Sequence, residues 1–116
     1  MDNNFENMLS PLKWHEHDDH VSLRLEAGEK EEIFEIRADE GFEAGGYGWE
    51  ALARVFLDEK MPELKEDINF DSEGSSFGAY SCNIEAMKKF ALGIRAMFDD
   101  DELMKDLLSR ASDEFL

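Results

Sequence analysis

The chain has 116 residues, 42% of them apolar, with 29 acidic and 12 basic side chains and a formal charge of -17. That length is enough for one domain with a real core, and nine Phe and two Trp argue against a disordered acidic segment. The charge predicts no direct binding to nucleic acid or to an anionic membrane, because phosphate contact needs patches of Lys and Arg; it favours a basic protein partner.

The acidity is uneven. Residues 1–44 carry thirteen acids against four bases, whereas residues 77–98 carry one acid against three bases. The N-terminus "MDNNFENMLSPL" has no basic start and no apolar core, so no secretory signal is expected there. No apolar run approaches the length of a membrane span. A cytoplasmic, reducing location is the expectation, consistent with a lone Cys82 that cannot form an intrachain disulfide.

The segment 11–17, "PLKWHEH", is a candidate first strand. In "WHEHDDH", His15 and His17 would point to one side and His20 follows a short turn. Three imidazoles among carboxylates resemble a zinc or nickel site in composition. Their spacing matches no familiar structural zinc pattern, and a polar turn at the end of a strand explains the same letters, so no metal is assigned. "HVSLRLE", 20–26, alternates: Val21, Leu23 and Leu25 share one face, and Ser22, Arg24 and Glu26 the other. This predicts a half-buried strand. "AGEK", 27–30, is turn material, and "EEIFEIRA", 31–38, is expected to return as the second strand of a hairpin.

The most unusual stretch is "GFEAGGYGWEALARVF", 41–56, with four glycines ahead of a helical pattern. It fails as a phosphate loop. Tyr47 and Gly48 stand where a Walker sequence requires Lys and then Ser or Thr, and the dinucleotide-binding pattern is missing. A structural corner fits better, with Gly45, Gly46 and Gly48 allowing positive φ or close backbone approach. Trp49, Leu52, Ala53 and Phe56 form the apolar stripe of an amphipathic helix, so Trp49 is expected inward and Tyr47 outward. Glu50 and Arg54 are expected to pair on the outer side, and Pro62 to close the helix near Lys60.

"INFDSEGSSFGAYS", 68–81, reads as a second hairpin. Asp71 and Glu73 lie two residues apart, and extended backbone would turn both carboxylates to one side. Paired carboxylates can do acid–base work in a pocket that shifts one pKa, but no local sequence builds that pocket, so an acidic turn is preferred. Asn83 is a candidate N-cap for a helix with Ile84, Met87, Phe90, Ala91, Ile94 and Phe98 on its stripe. "DDDE", 99–102, suits the start of a last helix that buries Leu103, Met104, Leu107, Leu108 and Ala111. The fold class predicted is α+β: an antiparallel sheet of about four to six strands with about three helices on one face, as a single domain over residues 1–116.

The block Gly-Tyr-x-Trp-Glu at 46–50, the block Phe-Asp-x-Glu at 70–73 and Phe77 just after it have an order and spacing that resemble the immunity protein 51 family of bacterial polymorphic-toxin systems. The resemblance runs over residues 34–111. It implies an α+β protein without enzymatic activity, which neutralises a cognate toxin, or one delivered by a sibling cell, in the cytoplasm of the producing cell; the sequence has no cofactor motif, and no cofactor is expected. The resemblance supplies no toxin-contacting residues. From charge, the inhibitory face is expected to include Glu40, Glu43, Asp71 and Glu73, with Tyr47 as an aromatic anchor against a basic toxin. Two other readings stay open: a different acidic interaction module, such as an anti-regulator or nucleic-acid mimic, and a small metal-binding or hydrolytic protein built on the histidines and Asp71/Glu73.

Overall fold

A computed structural model describes residues 3–112; the ends of the domain expected over 1–116 lie outside them. In chain order the elements are α1 (Asn3–Leu9), β1 (Lys13–Glu16), β2 (Val21–Glu26) and α2 (Glu31–Phe34), with a 3-10 helix over Glu35–Glu40. Then come α3 (Gly46–Lys60), a 3-10 turn at Pro62–Leu64, β3 (Asn69–Phe70), β4 (Ser76–Ser81), α4 (Ile84–Phe98) and α5 (Asp101–Leu108). The architecture is α+β. One four-stranded antiparallel sheet has the order β1-β2-β4-β3.

The alternation of β2 decides what the sheet buries. Leu23 pairs with Trp14 on β1 and with Ala79 on β4, and Ala79 pairs with Phe70 on β3. That transverse row faces the helices. The next row, His15, Ser22, Tyr80 and Asn69, faces away from them. α3 packs on β4, and α4 packs on β2 and β4. Trp49, Phe34, Phe42, Phe77 and Phe90 are fully buried in the core. At about 25 cal/mol per Å² of apolar surface, each such ring contributes several kcal/mol of transfer free energy.

The hairpin expected between 20–26 and 31–38 does not form. Residues 31–40 are helical, and β2 pairs instead with β4, fifty residues onward. Two physical reasons act together. Ile33 and Phe34 are both buried, which neighbouring residues of a one-sided strand cannot be. Glu31 and Glu32 occupy the first turn of α2, where the helix dipole favours carboxylates. The second hairpin forms as expected, with β3 only two residues long. Among the described residues there are five α-helices where about three were expected; α1 and α2 are the additional, short ones.

The two long helices follow their stripes closely. Asn83 caps α4, its Oδ1 accepting from the Ala86 N–H at 3.2 Å. Met87, Phe90, Ala91 and Ile94 are buried, whereas Ile84, first on the expected stripe, is exposed at the helix mouth. Asp100 caps α5 by accepting from the Leu103 N–H, and Met104, Leu107, Leu108 and Ala111 are buried. Glu50 and Arg54 pair at 2.9 Å, but not on an outer face. Glu50 is only 8% exposed, and the Arg54 guanidinium lies over the Phe70 ring.

Candidate partner-binding surface

Three chain segments meet at the mouth of α3. The Ala27 N–H donates to Ser75 O, the Gly28 N–H to Ala44 O, and the Gly46 N–H to Gly74 O. The turn after β2, the entry to α3 and the β3–β4 loop are thereby laced together by backbone hydrogen bonds. The glycines allow it by having no side chain. A Cβ on Gly46 would lie 1.8 Å from Glu73 O and 2.2 Å from Ser76 O; one on Gly48 would lie 2.0 Å from Glu43 O. Gly45 would bring a Cβ to 2.9 Å from Gly74 O. Close approach is therefore what these three positions require. Positive φ, the other expected reason, belongs to Gly28 and Gly41.

The corner sorts the two aromatics as the stripe predicts. Trp49 is 1% exposed, packs between Phe34 and Phe98, and donates from Nε1 to Glu29 O at 3.1 Å. That bond ties the turn after β2 to α3. Tyr47 points outward, 44% exposed, with the edge of its ring 4.0 Å from where a Cβ on Gly74 would lie.

The four acids expected beside Tyr47 fall into two groups. Glu43 and Glu73 are exposed at the corner, their backbone oxygens touching Gly48 and Gly46. Among the described residues their carboxylates have no hydrogen-bond or ion-pair partner. Glu40 and Asp71 are engaged. Arg37 donates to both Glu40 oxygens at 2.7 and 2.8 Å, and this hydrogen bonding holds the carboxyl below its ordinary value. Arg24 donates to Asp71 Oδ2 at 3.2 Å and to Asp71 O at 3.1 Å. Arg37 also donates to Leu108 O and Ala111 O, so Glu40 belongs to the closure of α5 as much as to the surface.

A groove of about 430 Å³ opens at the same corner. Its lining has the buried Phe34, Phe42 and Ala44 as a floor, Gly45 and Gly74 as a backbone wall, and the exposed Ala38, Glu31, Glu35 and Glu43 as a rim. Glu31 and Glu35 were not among the expected site residues. A helical reading of 31–38 finds them, since i and i+4 share one helix face.

The histidines sit elsewhere, around the β1–β2 turn. The His17 and His20 rings stack at 4.3 Å. His17 Nε2 lies 3.2 Å from Ser22 Oγ, and His20 Nδ1 lies 2.7 Å from Asp19 Oδ1. His15 lines the open sheet face with Lys13 and Arg24. Among the described residues no group of three or more His, Cys, Asp or Glu is placed to hold a metal ion. No helix among them is long and apolar enough to cross a membrane.

Helices on one side of a small antiparallel sheet, a strongly negative surface, and a backbone-built corner with an acid-rimmed groove define an acidic α+β domain with a recessed surface feature. The chain belongs to the immunity protein 51 family, whose model matches residues 12–113. It is thus an immunity protein of toxin systems, a class that is generally non-enzymatic and has a toxin as its partner. The match begins well before the blocks at 46–50 and 70–73 and takes in β1 and β2. No curated protein and no solved structure matches the chain.

Proposed function

We propose that this chain binds and neutralises a cognate polymorphic toxin in the cytoplasm of the producing cell, without catalysis or cofactor. Membership of the immunity protein 51 family over residues 12–113 carries the reading. The charge of -17 supports a basic toxin, because opposite fields steer encounter and raise the association rate. An acidic inhibitor of this kind occupies the positive cleft in which a basic toxin holds its own anionic substrate. It has no direct nucleic-acid contact itself.

The toxin-facing surface is the α3 corner. Tyr47 acts as the aromatic anchor, Glu43 and Glu73 as its free acids, and Glu40 and Asp71 as flanking charges already held by arginines. Gly45, Gly46, Gly48 and Trp49 act one step removed, by fixing the corner's shape.

Co-expression in a bacterial host with the toxic domain encoded beside this chain's gene tests the proposal. Survival, with a complex that co-purifies, is the expected result. Cell death with both proteins folded and abundant would exclude that pairing and favour another acidic interaction module.

A further inference from the structure

We infer that the groove bounded by Glu31, Glu35 and Glu43 receives a basic side chain, an arginine or lysine, projecting from the toxin; this rests on the immunity reading above. Three observations on the groove point to such an occupant. The first is charge left over: none of the three carboxylates has a partner among the described residues. Arg37 is the one base between residues 31 and 53, and it is engaged by Glu40, Leu108 O and Ala111 O.

The second is the chemistry of the floor. Phe34, Phe42 and Ala44 are apolar, and Ala38 and three acids stand around them. A long cationic side chain has the matching form, an aliphatic stem that packs on carbon and a charged head that reaches carboxylates. A guanidinium can also pair two oxygens of one carboxylate or bridge two acids. An acidic or purely aliphatic group would leave the rim unpaired, and a neutral polar group would leave its three charges unneutralised.

The third is shape. The wall at Gly45 and Gly74 carries no side chain, so a flat or slender group can slide against it. Tyr47 adjoins this wall, since a Cβ on Gly74 would come to 4.0 Å from the edge of its ring, so the aromatic anchor stands beside the groove. The backbone bonds that lace residues 27–28, 44–46 and 74–75 hold the groove in shape before any partner arrives, which lowers the ordering cost of binding.

Titration calorimetry with the purified toxic domain encoded beside the gene, inactivated by mutation, tests this against a charge-matched control. The groove variant is Glu31→Gln/Glu35→Gln/Glu43→Gln. The control, Glu63→Gln/Glu66→Gln/Glu85→Gln, removes the same charge from exposed acids that do not line the groove. The groove variant is expected to bind about a hundredfold more weakly, and the control to stay within about fivefold of the wild type. Equal losses in the two variants would mean that only the overall field matters and would overturn the groove. So would a groove variant that binds like the wild type. The single variant Glu43→Gln, expected to lose about tenfold, gives the same reading should the triple variant unfold. A folded wild-type chain that does not bind the toxin would contradict the immunity reading and remove this occupant with it. Wild-type binding with an unaffected groove variant would sink the groove alone.

Discussion

Gly46 and Gly48 are the positions at which one added methyl group does most damage. Both would drive a Cβ into a backbone oxygen, at 1.8 Å from Glu73 and 2.0 Å from Glu43, where no flexible side chain can yield. Gly46→Ala and Gly48→Ala are expected to destabilise the fold by about 2–3 kcal/mol each, read as a lowered urea midpoint. An unchanged midpoint would show that the β3–β4 loop moves aside freely. The surface acids should separate by engagement. Charge reversal of Glu43 and Glu73 is expected to slow toxin association and flatten its salt dependence, whereas Glu40→Gln and Asp71→Asn change affinity by less than about threefold. The outward Tyr47 and inward Trp49 were legible from the 3.6-residue stripe. The engagement of Asp71 was not, because its partner Arg24 lies 47 residues away and the sheet pairing that joins them is non-local.

Helix ends carry the element-scale predictions. Asn83→Ala and Asp100→Ala each remove a side-chain acceptor for a first-turn N–H and should cost about 1 kcal/mol in thermal or urea unfolding. Arg110 links two elements, donating to Glu59 on α3 and to Asp106 on α5. Its hydrogen bonds hold both carboxyls below their ordinary values of 4.5 and 3.8. Groups lowered in this way add stability above those values and lose it as pH falls through their folded values. The stability gap between wild type and Arg110→Met should therefore be present at neutral pH and close as the solution is acidified; a gap that widened in acid would reverse this account. Legibility at this scale followed length. α3, α4 and α5 announced themselves through stripes, and α4 and α5 through caps as well. α2 did not, because four residues cannot display a helical period, and "IFEI" is apolar enough to mimic a strand. The missing alternation at Ile33 and Phe34 and the acid pair Glu31 and Glu32 spoke against the strand. The sheet class was readable from β2, but its partner β4 was not, because that pairing joins residues fifty or more positions apart.

For the molecule as a whole, the excess of seventeen negative charges acts in two opposite ways. Within the free chain it is self-repulsion, which salt screens. Raising NaCl from about 0.01 to 0.3 M should raise Tm, even though the exposed ion pairs weaken. Towards a basic toxin the same charge is attraction, so the same change should slow association. A Tm that fell with salt would mean that the surface pairs outweigh the net field. The central claim is that this charge acts at one place, the corner where α3, the turn after β2 and the β3–β4 loop meet. Amide hydrogen exchange of the chain, free and in complex with its toxin, tests that most directly. Protection concentrated at residues 27–28, 31–35, 43–47 and 72–76, with the outer sheet face and the exposed side of α4 unchanged, is the predicted result. Protection centred on α4 or on the His15, Ser22 and Tyr80 face, with the corner exchanging as in the free chain, would contradict it.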